Sequence, residues 1–132
     1  MLGEPIGERK GKVTGRRVLS TEPAKIEVAF EAEGSLLGVA VREVGTYTSR
    51  LRPDGSLYGE GEGVIMGKDG DIATWKGQGV GVLGENGAVS YRGAVYHQSG
   101  SAKFTRLNTV AGVFEYEVDA DGNTTAKLYE WR

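Results

Sequence analysis

The chain has 132 residues, of which 39% are hydrophobic and 26% charged, enough to bury one core and too few for a second of ordinary size. Sixteen basic against eighteen acidic side chains leave a formal charge of −2, which argues against nucleic acid as a partner. With no cysteine and one histidine, His97, the sequence excludes disulfides, thiolate catalysis and multi-histidine metal sites within one chain, and no metal or cofactor is expected.

No run approaches the ~18 apolar residues of a membrane-spanning helix, and Met1 to Pro5 lacks an apolar signal core. The expectation is a single cytoplasmic domain over 1–132 with no membrane partner. Glycine is the outlier, at 22 residues, while proline contributes only three. That combination does not describe a disordered tract, which is usually rich in both.

In chain order, Lys12 to Leu19 and Lys25 to Ala32 read as a hairpin around Ser20-Thr21-Glu22-Pro23. Ile26, Val28, Phe30 and Ala32 would face inward, with Glu27, Glu31 and Glu33 outside. The basic cluster Arg9, Lys10, Lys12, Arg16 and Arg17 reads as a solvated cross-strand charge pattern opposite those glutamates, rather than as a phosphate-binding patch. Leu36 to Arg42 would form a third strand, with a bend near Glu43 to Gly45.

Four turns then punctuate the chain: Arg52-Pro53-Asp54-Gly55, Gly67-Lys68-Asp69-Gly70, Gly84-Glu85-Asn86-Gly87 and Asp119-Ala120-Asp121-Gly122. Each ends in Asp-Gly or Asn-Gly between alternating segments rich in β-branched and aromatic residues, the strongest short-range hairpin signal. A two-residue turn would pair Lys68 with Asp71, whereas a turn with glycine in the bulge position pairs Gly67 with Asp71. The two differ by one residue and so exchange the faces. The bulge is preferred because it sets Glu62 opposite Lys76 and keeps both away from Trp75.

Applied throughout, the same rule aligns four strands into inward rows. These are Gly45-Gly63-Trp75-His97, Tyr47-Gly61-Gly77-Val95, Ser49-Gly59-Gly79-Gly93 and Leu51-Leu57-Gly81-Tyr91. The outward rows carry Thr46-Glu62-Lys76-Tyr96 and their polar neighbours. In the last hairpin Glu115 would oppose Lys127 outside, with Phe114, Tyr116, Val118, Ala126 and Leu128 inside. Ser101 to Asn108 offers the one short helical stretch, with Ser101 as cap and Phe104 and Leu107 inward. The predicted fold is all-β, a single antiparallel and mostly up-and-down barrel of about eight strands.

A strand glycine costs roughly 0.5–1 kcal/mol relative to alanine, so a glycine-lined face needs a reason. Glycines let a small barrel coil and close, and they leave volume to be filled. Either Trp75, Tyr47, Tyr91, Phe30 and Tyr116 lie across them and fill the interior, or a lumen stays partly open for a small apolar ligand. On the second reading the ligand-binding residues are Tyr47, Trp75, Tyr91, His97, Gly61 and Gly77.

Several motifs reduce to turn and strand chemistry. Gly59-Glu60-Gly61-Glu62-Gly63 alternates within a strand and does not open onto a helix, as a dinucleotide loop must. Asp119, Asp121 and Asn123 imitate the start of a calcium loop, but Gly122 falls too early for one. His97 would sit on the inner face beside Trp75, with no carboxylate placed to orient it and no serine placed as nucleophile, so no catalytic set is assigned. Glu43 and Glu130 would also face inward, a costly burial without partners.

The runs Gly45-Thr46-Tyr47, Arg52 to Gly55, Tyr58 to Gly61 and Lys68 to Asp71 resemble an uncharacterised bacterial family. The chain as a whole resembles the small antiparallel barrels of the calycin and allene-oxide-cyclase-like type. That resemblance implies a barrel and, by analogy, binding in its lumen. Three functions compete: a binding module for a small apolar molecule, an isomerase or cyclase acting on a lumen-bound substrate, and a homodimer or larger homo-oligomer. The last would use the outward Tyr58, Tyr96, Val80, Tyr129 and Trp131.

Overall fold

The computed structural model describes residues 2–132. Its strands are β1 (Gly7–Thr21), β2 (Ala24–Leu36), β3 (Val39–Leu51), β4 (Leu57–Gly67), β5 (Ile72–Leu83), β6 (Val89–Gln98), β7 (Gly112–Val118) and β8 (Asn123–Glu130). Each pairs antiparallel with its neighbour in sequence, and β8 returns to β1 from Gly7↔Leu128 to Lys12↔Asn123. The result is a closed up-and-down barrel, and closure removes the free strand edges that would otherwise invite further pairing.

Turn chemistry sets the registers. In the β4–β5 turn the Gly67 N–H donates to the Asp71 carbonyl at 2.8 Å and the Gly70 N–H to the Gly67 carbonyl at 3.2 Å. Gly70 stands at φ +86°, in the left-handed region where a side chain is strained. The extra residue makes Glu62 the partner of Lys76; the same turn at Gly55 (φ +88°) and at Gly122 (φ +83°) pairs Tyr47 with Gly61 and Glu115 with Lys127, and all four inward rows align as expected. The β5–β6 turn reaches its register differently. Asn86 (φ 56°) and Gly87 (φ 84°) are both left-handed, and the Ala88 N–H donates to the Glu85 carbonyl at 3.0 Å.

The N-terminal third departs from expectation. β1 starts at Gly7 and β2 runs to Leu36, with register shifts between Val13 and Gly15 and between Val18 and Ser20. Those bulges break the alternation that sequence reading depends on. β3 runs from Val39 through Glu43 to Gly45 without the expected bend, because the chain reverses earlier, at Leu37-Gly38. Both residues have positive φ (49° and 77°), and Leu37 donates its N–H to the Ile6 carbonyl at 2.8 Å. A leucine in this conformation carries no turn signature. Ile26, expected inside, lies near the rim and is 36% exposed.

The expected helical stretch is a 3-10 turn, Thr105–Thr109, and Ser101 is not its cap. Its hydroxyl instead accepts the Ile72 N–H at 3.0 Å, tying the β6–β7 connection to β5. Phe104 and Leu107 are fully buried, as expected. No helix among the described residues is long and apolar enough to cross a membrane.

Interior glycines are held by the rings that lie on them. A β-carbon on Gly63 would stand 2.3 Å from Trp75 Nε1, and one on Gly45 would stand 2.5 Å from the Phe30 ring. Gly63→Ala should therefore cost about 1–3 kcal/mol in urea unfolding, the usual range for overpacking. Gly15→Ala, where a β-carbon would meet nothing within 4 Å, should stay within about 0.5 kcal/mol of the parent.

Candidate functional site

The barrel interior is built in layers. At the end carrying the β2–β3 and β4–β5 turns, Leu36, Val41, Ile65 and Ala73 pack around Phe104 and Leu107. At the other end Leu57 and Val118 pack with Tyr91 and Tyr116. Between these clusters lie Phe30, Tyr47 and Trp75. Phe30 stacks on Trp75 at 6.4 Å and tilts against Tyr47 and Tyr116 at 6.0 and 5.6 Å. Tyr47 meets Tyr91 and Tyr116 edge-on at 5.9 and 5.7 Å, within the favourable range for aromatic pairs. The five rings proposed from sequence to cover the glycines thus form one connected group.

Beneath the apolar end lies a buried polar group. Arg9 on β1 and Glu43 on β3, 8% and 4% exposed, form an ion pair with Nε 2.7 Å from Oε1. Trp75 Nε1 donates to the other carboxylate oxygen at 2.6 Å. Arg9 therefore does not belong to the solvated charge pattern expected for the basic cluster. The alternation of β1 runs back to Gly7 and turns Arg9 inward, while Lys10, Lys12 and Arg17 do pair with Glu33, Glu31 and Glu27 outside. Glu43 faces inward as its parity implied, and its partner is the arginine. Glu130 lies opposite Gly112 but is only half-buried, held by Arg106 at 2.5 Å and Arg132 at 3.5 Å.

His97 is 6% exposed, and neither of its ring nitrogens has a hydrogen-bond partner among the described residues. Arg9 Nη1 is likewise buried and unpartnered. Burial first, and the Arg9 charge second, depress the His97 pKa to about 4, so the imidazole is neutral near pH 7. Burial pushes Tyr47 up to about 12 and raises Tyr91 in the same direction, keeping both phenols protonated. Ser49 is hydrogen-bonded to Tyr91, not to His97, so no nucleophile–base pair is assembled here.

These groups surround a cavity of about 100 Å³. Tyr47, Trp75, Tyr91, His97, Gly61 and Gly77 all line it, so the residues singled out from sequence meet in one place. Sequence reasoning missed Arg9, which also lines it, and placed Phe114 inside without assigning it to the site. Extending the period-2 pattern of β1 back to Gly7 would have found Arg9.

No family model matches the chain, and no curated protein does. Solved structures do. A protein of unknown function from Clostridium acetobutylicum superposes with a TM-score of 0.84 at 14% identity, covering 98% of this chain and 99% of the other. A β-barrel-like protein from Acinetobacter baumannii gives 0.82 at 11% identity, covering 100% and 96%. A conserved protein of unknown function from Rhodopseudomonas palustris gives 0.81 at 11% identity, covering 98% and 97%. At these identities the likeness establishes a shared fold, that of a small closed antiparallel barrel, and no activity.

Two outcomes follow from the buried polar group. Arg9→Met strands the Glu43 carboxylate and should cost about 3–5 kcal/mol, whereas Arg9→Met combined with Glu43→Gln should recover much of that in a double-mutant cycle. His97 binds its proton at about pH 4 in the fold and near its ordinary 6.5 when unfolded. Its contribution is thus complete above pH 6.5 and is lost as pH falls toward 4, by at most about 3 kcal/mol. Denaturant titrations across that window should show the slope, and His97→Gln should remove it.

Proposed function

We propose that the barrel is a binding module for one small, largely apolar molecule held in its lumen. Tyr47, Trp75 and Tyr91 would form the walls, Gly61 and Gly77 the floor, and His97 a polar contact. The observation that carries this reading is the coincidence of an aromatic cavity with buried polar atoms that lack a protein partner. An interior selected only for stability gains nothing from stranded polar groups, each costing about 1–3 kcal/mol. The resemblance to calycin and allene-oxide-cyclase-like barrels supports the same reading by analogy.

The cavity limits the ligand. Drug-sized ligands occupy pockets of roughly 300–1,000 Å³, and an apolar cavity of about 150 Å³ accepts benzene. At about 100 Å³ this lumen is smaller than the cavity that accepts benzene, so a single ring is the upper limit, reached only with some give in the lining side chains. Native mass spectrometry of protein purified without additives, and Trp75 fluorescence with single-ring compounds, should both report binding. Gly77→Val should weaken binding at least ~10-fold by occupying ligand volume while the barrel still folds. Unchanged emission across the whole series, with only a stability loss in Gly77→Val, would overturn the proposal.

A second reading, a homodimer, draws support from the outer face. Val44 opposite Val64, and Met66 opposite Ile72, form an adjoining exposed apolar group. Of the outward residues first considered, Val80, Tyr96 and Trp131 are exposed, whereas Tyr58 is tied to Gln78 at 2.6 Å. Light scattering on wild type and Val64→Lys separates monomer from dimer.

A further inference from the structure

Three residues that line the cavity, Arg9, His97 and Tyr116, carry buried polar atoms without a partner, and these say more about a ligand than the cavity's size does. Both oxygens of Glu43 are engaged, one by Arg9 Nε and the other by Trp75 Nε1. Arg9 has donors to spare, and its buried Nη1 has no acceptor. His97, in the same cavity wall, offers one donor and one acceptor that are both unused. A hydrocarbon would satisfy none of these atoms. A carboxyl group matches them: its carbonyl oxygen can accept from Arg9, and its proton can be shared with His97.

Charge balance narrows the choice. Arg9 and Glu43 already neutralise each other, so a bare carboxylate would bring an unbalanced charge into a buried site at high cost. An acid that enters with its proton adds no net charge. Resting on the lumen-binding reading above, we infer that the barrel binds a small carboxylic acid, no larger than one ring, in its net-neutral form. Arg9 is its anchor, and His97 is the seat of the accompanying proton.

The other titratable or charged groups around the cavity do not offer that seat. Glu43 is occupied on both oxygens, and Tyr47 and Tyr91 remain protonated phenols. Tyr116 on β7 is driven further in the same direction by burial. Glu60 and Lys127 touch the cavity margin from exposed outward positions. β2 and β5 present the Phe30 and Trp75 rings, which do not titrate.

Calorimetric titration of the intact protein with benzoate and butyrate, against toluene as the ring without the acid, tests this. Both acids should bind at pH 6, benzoate at least ~10-fold more tightly than toluene. Acid affinity should fall as pH rises from 6 to 7.5, approaching ~10-fold per unit for one accompanying proton. Toluene binding should not depend on pH. Arg9→Lys, which keeps the charge but not the fork, should selectively weaken the acids, and His97→Gln should flatten their pH slope. Equal affinity for benzoate and toluene, or an acid affinity indifferent to pH, overturns the acid site while leaving the lumen-binding reading intact. If neither the acids nor toluene bind, both fall. The wild-type series decides even if a variant does not fold.

Discussion

A ring can lie flat on a β-strand only where the strand has no β-carbon, and the interior of this barrel is organised around that contact. Trp75 rests on Gly63, Phe30 on Gly45, and Tyr91 against Gly59 and Gly81. Each glycine weakens its strand locally, and each ring offsets the loss by burying a large apolar surface against the bare backbone. Together the glycines let eight strands curl tightly enough to close, and the rings occupy most of the volume thereby enclosed. What remains is the small cavity among them.

The same contact positions the polar group. With its ring held on Gly63, Trp75 directs Nε1 at Glu43, which is two positions before Gly45 on β3 and so on the same inward face. Glu43 in turn receives Arg9 from β1. A carboxylate buried to this depth is tolerable only when both oxygens are satisfied, and they are satisfied from different strands. The atoms of the cavity wall that remain under-satisfied belong to His97, Arg9 Nη1 and the Tyr116 hydroxyl. Stability accounts for the Glu43 side of this arrangement but not for the other. That asymmetry makes the lumen a candidate binding site, beyond its role as a packed core.

Much of the barrel could be read in advance because its signals are local. An Asp-Gly turn with glycine at positive φ adds one residue to the loop, and that addition fixes which of two registers follows. From register come the two faces, and from the faces come the six residues that meet at the cavity. The N-terminal third was less legible for an equally local reason. Bulges in β1 interrupt the period-2 pattern, and the Leu37-Gly38 reversal places a leucine where turn chemistry leads one to expect glycine or asparagine. Leu37 is held there by its bond to Ile6 and by packing on the apolar end, neither of which leaves a mark in the nearby sequence.

The amino-acid sequence by itself determined the class, the central registers and the identity of the inward face, since turn type and alternation act over a few residues. Only the tertiary structure decided in which register β8 returns to β1 to close the barrel, how little space the rings leave, and that Arg9 meets Glu43. Those two residues stand 34 positions apart on strands that are not neighbours, since β2 runs between them. Nothing in the spacing of either strand could announce the contact. It exists because the curvature of a closed barrel turns the inner faces of separate strands toward one another, where a buried charge must find its opposite.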